Sequence, residues 1–207
     1  MKNRLFTGAL LPVALLAALT GCASTTIGTS FVRPPQDAVR LGETTEAQIV
    51  QRLGKPQDQT ELRSDGQLLR VVTYFFGSRE ETAHPADAIC MRALVYRFSG
   101  ATVVSEAFVS SCASDHTDFD ERGADAVVIG STRCADVVAL LGRPHARSIH
   151  PAVRAPGEEL IGYVFESVGP GPSYAPTITR EYSKKLEFTC DARGIVRDKS
   201  FVEEGQR

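Results

Sequence analysis

The sequence predicts an α+β fold of two tandem repeats. Each repeat is expected to be a short helix followed by a three-stranded antiparallel meander, with the helices packed on one sheet face. Two observations predict this fold. The segment Val39–Pro56 recurs 88 residues later as Val127–Pro144. Each copy has helical spacing of apolar residues, and each precedes three stretches rich in aromatic and β-branched residues. Such an internal repeat sets the number of structural units.

The first 21 residues predict an export signal that is not part of this fold. Lys2 and Arg4 precede an apolar run, Leu5–Leu19, which is shorter than the roughly 20 residues that span a bilayer. The following LTGC, Leu19–Cys22, resembles the lipobox of bacterial lipoproteins. That resemblance implies that the Cys22 thiol receives a diacylglyceryl group, that the signal is then cut on the N-terminal side of Cys22, and that the new amino terminus is acylated. Several acyl chains anchor a protein stably. We therefore expect residues 1–21 to be a lipoprotein signal peptide and residues 22–38 to be a lipidated linker.

The remaining composition favours a water-soluble body held at a membrane by this lipid. Residues 22–207 carry 21 basic and 25 acidic side chains, a net charge of −4. Nucleic-acid binding would need a clustered basic surface, so we expect no nucleic acid partner. Ala23 follows the cysteine, where an aspartate in many lipoproteins signals inner-membrane retention. The resemblance therefore implies the outer membrane, with the protein facing the periplasm.

The two copies share identical residues at eight positions. These are Val39/Val127, Gly42/Gly130, Thr44/Thr132, Ala47/Ala135, Val50/Val138, Leu53/Leu141, Gly54/Gly142 and Pro56/Pro144.

Each copy of the shared segment predicts a helix of about three turns. In the first, Thr44 or Thr45 can cap the helix, and Thr45 with Gln48 fits the capping-box pattern. Gly54 fits a helix end in a left-handed conformation, and Pro56 prevents continuation. The second copy ends in the same way at Gly142 and Pro144.

Three strands are predicted after each helix, from alternation and from the turn residues between the stretches. They are Leu68–Gly77, Cys90–Gly100 and Thr102–Cys112 after the first helix, and Leu160–Val168, Tyr182–Asp191 and Gly194–Glu203 after the second. The domain limits that follow are residues 39–113 for repeat 1, 114–126 for a polar linker and 127–207 for repeat 2.

The combination of Leu-Gly-x-Pro after a helix, Tyr/Phe-rich strands and LEFTCDARGIV (Leu186–Val196) resembles the SmpA/OmlA type of outer-membrane lipoprotein. That type includes the smallest lipoprotein of the β-barrel assembly machine, which becomes a candidate partner. Its fold is similar to one repeat of the β-lactamase inhibitory protein, which has two repeats in tandem. The lipoprotein of the assembly machine carries one repeat, whereas two are predicted here.

Four cysteines follow Cys22, and an even number in an exported chain suggests two disulfides with three possible pairings. A hairpin with Phe98 opposite Val104 sets Cys90 opposite Cys112, within bridging range. Cys134 lies on the buried stripe of the second helix, and Cys190 lies on the strand face expected to meet that helix. We predict the bridges Cys90–Cys112 and Cys134–Cys190. The alternative is four free, buried thiols.

No residue pattern predicts catalysis. His84, His116, His145 and His150 form no His-Glu-x-x-His helix, and no Gly-x-Ser-x-Gly elbow occurs. The acidic run Asp115–Asp125 lacks EF-hand spacing and is predicted to be a linker, with a weak calcium site as the alternative. We therefore expect a protein that is not an enzyme and has no cofactor. Catalysis through His145, His150 or the acidic linker remains a distant alternative.

Binding is the predicted function, in outer-membrane assembly or envelope maintenance through protein contacts. The alternative is a lipid-anchored inhibitor or sensor of an envelope enzyme. Exposed aromatic side chains are candidate anchors, unless they all belong to the core. The candidates are Tyr74, Phe76, Tyr163, Phe165 and Tyr174.

Overall fold

The computed structural model describes residues 26–64, 66–85, 88–170 and 178–205. The predicted signal peptide (residues 1–21), the acylation site Cys22 and the candidate anchor Tyr174 lie outside these residues.

One antiparallel sheet of nine strands dominates the described chain. Its strands are β1 (Thr26–Gly28), β2 (Asp58–Ser64), β3 (Gln67–Ser78), β4 (Cys90–Ser99), β5 (Thr102–Ser110), β6 (Ala146–Ile149), β7 (Glu159–Pro170), β8 (Ile178–Cys190) and β9 (Val196–Gly205). The spatial order is β1-β3-β4-β5-β6-β7-β8-β9, and β2 also pairs with β3. The two α-helices are α1 (Glu46–Leu53) and α2 (Cys134–Leu141). Short 3₁₀ helices occupy Gln36–Ala38, Ala113–Asp115 and Glu121–Ala126.

The predicted fold class, two repeats of one helix and a three-stranded meander, was wrong. The helices are eight residues each, and four strands follow each helix. The prediction missed β2 and β6. Strand β2 is a polar, almost fully exposed edge strand, and β6 has only four residues, so neither shows an alternating pattern. Pairing of β5 with β6, at Ser105↔Ser148 and Ala107↔Ala146, joins all the strands into one sheet.

The helices begin and end where the shared segments predict, although each is closer to two turns than three. Thr45 caps α1: its hydroxyl accepts a hydrogen bond from the Gln48 N–H, and the Gln48 side chain accepts from the Thr45 N–H. Thr44 accepts instead from the Arg40 N–H at 2.8 Å. In α2 the capping position is Arg133, whose N–H donates to the Asp136 carboxylate. No described helix is long and apolar enough to cross a membrane.

Both helices pack on the same face of the sheet, over two apolar cores. Ile49 of α1 covers a core of strands β3–β5, and Val137 of α2 covers a core of β7–β9; each of the two side chains is fully buried. Four of the predicted aromatic anchors are core residues on this face, so that part of the binding hypothesis was wrong. They are Tyr74, Phe76, Tyr163 and Phe165, each at most 5% exposed.

Candidate functional site

The shared segment residues form a hydrogen-bonded frame around each helix. The Gly42 N–H donates to the Val103 carbonyl and the Gly130 N–H donates to the Val196 carbonyl, both at 2.8 Å. Both glycines have a φ of +82°, a region that other residues rarely adopt. The Thr132 hydroxyl accepts from the Val128 N–H at 2.8 Å, as the hydroxyl of Thr44 accepts from the Arg40 N–H. These residues therefore have a structural explanation without a ligand.

The glycine that ends each helix also fastens it to the sheet. The Gly54 carbonyl accepts from the Tyr74 hydroxyl at 3.0 Å, and the Gly142 carbonyl accepts from the Tyr163 hydroxyl at 2.9 Å. The other shared residues of the helix ends are buried or partly buried. These are Leu53, Pro56, Leu141 and Pro144.

Both disulfides predicted from the sequence are present. Cys90–Cys112 has a Cα–Cα distance of 4.3 Å and links the start of β4 to the residue before the 3₁₀ helix Ala113–Asp115. Cys134–Cys190 has a Cα–Cα distance of 6.3 Å and ties the first residue of α2 to the end of β8. All four cysteines are at most 7% exposed, so the bridges are shielded from solvent.

The sheet face opposite the helices, here the open face, is largely uncharged. Register places its side chains directly opposite one another on neighbouring strands, for example Val95 opposite Ala107 and Ala107 opposite Ala146. Most of its central residues are partly exposed. The apolar or uncharged ones are Val71, Thr73, Phe75, Met91, Ala93, Val95, Ala107, Val109, Ala146, Leu160 and Val164. One charged residue, Arg97, shares the face between Val71 and Ser105, and Ser105 and Ser148 are buried there.

Charged and covered regions limit this open face. On the side of β8, Lys185 pairs with Glu187 at 3.0 Å. At the end of β2, the Ser64 hydroxyl donates to the Pro151 carbonyl at 3.0 Å, so the loop between β6 and β7 reaches this edge. Leu69, which shares the face by register, has no exposed surface there. The part of the open face that is neither covered nor at the charged edge is a mainly apolar surface with a polar rim, the composition typical of protein interfaces.

A polar seam runs between the two cores on the helix face; it consists of Arg33, Glu106, Arg143, His145 and Arg147. Glu106 is 7% exposed and accepts two hydrogen bonds from Arg147, at 2.6 and 2.8 Å. Arg147 also donates to the Val39 carbonyl at 2.9 Å. A buried ion pair needs such additional hydrogen bonds because its desolvation is costly. The seam therefore holds the segment before α1 against the sheet.

Two Arg-Pro dipeptides of the seam exchange hydrogen bonds. Arg33 donates to the Pro144 carbonyl at 2.5 Å, and Arg143 donates to the Pro34 carbonyl at 2.6 Å. Arg33 also lies over the ring of Phe108, 5.0 Å from its centroid. Burial, reinforced by the charge of Arg143, lowers the pKa of Arg33 to about 10. This exchange fixes the segment after β1 to the loop that follows α2.

His145 is a buried hydrogen-bond acceptor in the seam. Its Nδ1 accepts from the Val164 N–H at 2.9 Å, which requires that nitrogen to be unprotonated. Burial, with the charge of Arg33 as a further cause, lowers the pKa of His145 to about 4. The ring is therefore neutral at physiological pH.

The other candidate residues for chemistry do not converge. The His84 ring reaches Asp118 at 3.2 Å and is half-exposed, whereas His116 and His150 lie in loops. Carboxylates of the acidic run pair with cations of the chain, as in Asp115–Arg92 at 2.6 Å. Among the described residues, one grouping of three ligand-type side chains occurs: Glu81 with Cys90 and Cys112, which are already bridged.

Sequence reasoning missed the charged residues of the seam and the open face. The repeated Arg-Pro dipeptide, Arg33-Pro34 and Arg143-Pro144, was a visible signal. The burial of Glu106 had no such signal in the sequence, because its position in β5 does not indicate that β6 pairs beside it.

No protein-family model matches this chain. No curated protein matches it either. Among solved structures, the chain is similar to the crystal structure of a "putative beta-lactamase inhibitor protein" from Streptococcus mutans. The two chains are 15% identical, with a TM-score of 0.42, over 77% of this chain and 82% of that chain. A similarity this distant carries no argument about function, and the resemblance to SmpA/OmlA lipoproteins remains a prediction from the sequence.

Proposed function

We propose that this protein is a non-enzymatic interaction module that binds a partner protein across the open face of its sheet. The observation that supports the proposal is the mainly apolar, partly exposed open face opposite the helices, on which Arg97 is the central charged residue. Contiguous apolar surface on a folded protein marks an interaction site. The proposal includes an anchor at acylated Cys22 and a role in outer-membrane assembly or envelope maintenance, both of which rest on the sequence motifs.

The size of the open face suits a protein contact that extends over its polar rim. Its mainly apolar part covers five strands, β3 to β7, which at a spacing of about 4.8 Å give a width of about 19 Å. About seven residues at about 3.3 Å each give a height of about 23 Å, and hence an area of roughly 440 Å². A standard interface buries about 800 Å² on each partner, so a partner would have to cover this part and the rim on β8 and β9 to reach that area.

The open face is also held rigid by what lies behind it. Alternate residues of β4, such as Leu94 and Tyr96, are buried in the core beneath the helices, while Ala93 and Val95 point to the open face. The Cys90–Cys112 bridge fixes the start of the same strand. A preorganised surface loses little conformational entropy on binding, which favours affinity.

The proposed anchor would keep the sheet close to the membrane. Strand β1 begins at Thr26, four residues after Cys22. Thr26 pairs with Ser78 of β3. An extended chain spans at most about 3.5 Å per residue, so this tether reaches about 14 Å. Loss of acyl labelling and of membrane fractionation in Cys22→Ser would support the anchor; unchanged fractionation would contradict it.

Site-specific photocrosslinking in intact cells tests the open face. A photoreactive residue at Val95 or Val109 should give a defined adduct with a partner protein. The same residue at Gln51 or Ala139, which are exposed on the helices, should not. Val109→Glu should reduce capture from Val95, because it introduces a charge into the apolar contact. Val50→Glu, on an exposed helix position, is the matched control.

The result decides between partner classes as well. Adducts from the helix positions alone, or undiminished capture in Val109→Glu, would contradict the proposed surface. Capture of a barrel-assembly component would support the role in outer-membrane assembly. Capture of an envelope enzyme, with loss of its activity on binding, would favour the inhibitor or sensor alternative.

A further inference from the structure

The polar seam opens into a cleft of about 750 Å³ on the helix face. The cleft lies between the segment after β1, the acidic run between the halves and the end of α2. Arg33 and Arg143 line it together with His145. The open face is on the other side of the sheet, so this cleft is a separate surface from the one proposed above.

The seam carries more positive than negative charge. Three guanidinium groups, Arg33, Arg143 and Arg147, accompany one carboxylate, Glu106, and Arg147 already binds that carboxylate in two hydrogen bonds. The hydrogen bonds of Arg33 and Arg143 to described residues end on backbone carbonyls. The Nε of Arg143 is buried and has no hydrogen-bond partner among the described residues. Because this atom is buried, a ligand in the cleft would reach the Arg143 guanidinium through its terminal nitrogens.

The acidic side chains of the same cleft are already paired with other cations. Asp115 binds Arg92 at 2.6 Å. Asp118 binds Lys184 at 2.9 Å, and Asp120 binds Arg122 at 2.7 Å. These carboxylates therefore do not neutralise Arg33 and Arg143, although they make the rim unfavourable for a multiply charged anion.

Apart from Ser114 and His116, the remaining walls of the cleft are apolar. Phe119 and Tyr163 pack against each other with ring centroids 5.9 Å apart. Phe108 supports the Arg33 guanidinium from beneath. Leu140 is half-exposed beside them, which leaves it available for contact. A cleft with apolar walls and a few fixed polar groups is the usual form of a small-ligand site.

We propose that this cleft binds the carboxylate of a ligand with an apolar body. Arg33 and Arg143 hold the carboxylate, since guanidinium groups match its geometry and bind it through charge-assisted hydrogen bonds. Phe119, Leu140 and Tyr163 contact the apolar body. The ligand carries a single negative charge, because the three carboxylates at the rim repel a second one. A free carboxylic acid and the C-terminus of a peptide with an apolar last residue share this chemistry.

Titration of the purified full-length protein with 3-phenylpropionate, followed by NMR, tests the site. The acid should bind at least about tenfold more tightly than its methyl ester, which has the same body without the charge. The tripeptide Ala-Ala-Phe and its amidated form provide the second arm. Tighter binding of the free tripeptide than of 3-phenylpropionate assigns the site to peptide C-termini, and the reverse order assigns it to free acids.

Arg143→Gln should weaken binding of the acid at least about tenfold, and Arg143→Lys should weaken it less. Arg52→Gln is the matched control, because Arg52 also donates to a backbone carbonyl, that of Ala38, but lies outside the cleft. If Arg143→Gln does not fold, the comparison of acid with ester still decides. Equal binding of acid and ester, no binding of either acid, or tighter binding of inorganic phosphate would overturn the proposal. Failure of the open-face crosslinking would leave this result unaffected.

Discussion

The two halves of the molecule, α1 with β2–β5 and α2 with β6–β9, hold their helices in the same backbone frame but fasten them differently. The first helical N–H donates to a turn carbonyl in both halves: Glu46 to Ala101 and Cys134 to Gly194, each at 2.9 Å. The side chains at that position differ. Glu46 forms an ion pair with Arg70, which lies over the Phe98 ring, whereas Cys134 is bridged to Cys190.

A second pair of equivalent positions shows the same difference. The Gln57 side chain accepts from the Phe75 N–H at 3.2 Å in the first half. His145 accepts from the Val164 N–H at 2.9 Å in the second. Both side chains connect the segment after a helix to the adjoining strand. The backbone frame recurs because turn geometry requires particular residues, whereas any side chain that supplies the right contact can complete it.

The largest expected effect is the loss of stability when either disulfide is removed. Replacement of Cys134 and Cys190 by alanine should lower the free energy of unfolding by about 4 kcal/mol, and replacement of Cys90 and Cys112 by about 3 kcal/mol. The order of these two losses follows from the lengths of the loops that the bridges close. The bridged cysteines are 56 residues apart in Cys134–Cys190 and 22 residues apart in Cys90–Cys112. Glu46→Gln is the control in the first half, with a loss of at most about 1 kcal/mol for a partly exposed pair. Urea unfolding measures all three; a larger loss for the Cys90–Cys112 bridge would contradict the loop argument.

The next effect is a pH dependence confined to the second half. The pKa of His145 is about 4 in the folded protein against 6.5 in the unfolded chain. The unfolded state therefore binds more protons, so stability is complete above about pH 6.5 and falls as the pH drops towards 4. The loss should reach about 2 kcal/mol at pH 5. His145→Gln, which copies Gln57, should remove this dependence in urea unfolding at pH 7 and pH 5.

The matched control for this experiment is Gln57→Ala, since Gln57 holds the equivalent position in the first half and carries no titratable group. It should leave the pH dependence of the wild-type protein unchanged. A variant His145→Gln that loses stability between pH 7 and pH 5 as the wild type does would show that another group is responsible.

The smallest effect concerns the helix caps. Thr45→Ala should cost about 1 kcal/mol, because α1 loses a side-chain cap. Arg133→Ala should cost less than about 0.5 kcal/mol, because the exposed Arg133 caps through its backbone and the adjacent disulfide holds α2 in place. Thermal unfolding of the two variants, in the same buffer, measures the difference. Equal losses would mean that the disulfide does not compensate for the missing cap.

The parts of the structure that sequence analysis predicted are those with local causes. Thr45, Gly54 and Gly142 lie at helix ends because capping and left-handed geometry act within a few residues. The Cys90–Cys112 pairing followed from hairpin register, although Phe98 pairs with Val103 and not Val104, because the register shifts between Arg97 and Phe98. Strand β2 could not be predicted from its polar sequence, since it is held in place by pairing with β3, its one neighbour among the described strands.

The candidate site was the least predictable part. Tyr74 and Tyr163 suggested exposed anchors from their residue type, yet both lie in the core and hydrogen-bond the helix ends. The open face is formed mostly by small and aliphatic residues such as Ala93 and Ala107, which carry no distinctive signal in a sequence. These residues form a candidate binding surface only because they lie on the same face of the sheet, and that arrangement depends on the strand order.

By itself, the sequence determined the two short helices, their ends and the cysteines that pair, because capping, turns and hairpin register depend on residues close in the chain. Only the tertiary structure decided that β5 pairs with β6 to form one continuous sheet, and that Arg33 and Arg143 meet across more than 100 residues. The physical reason is that strand pairing and buried charge are settled by long-range contacts, whose free energy depends on partners that no local pattern identifies.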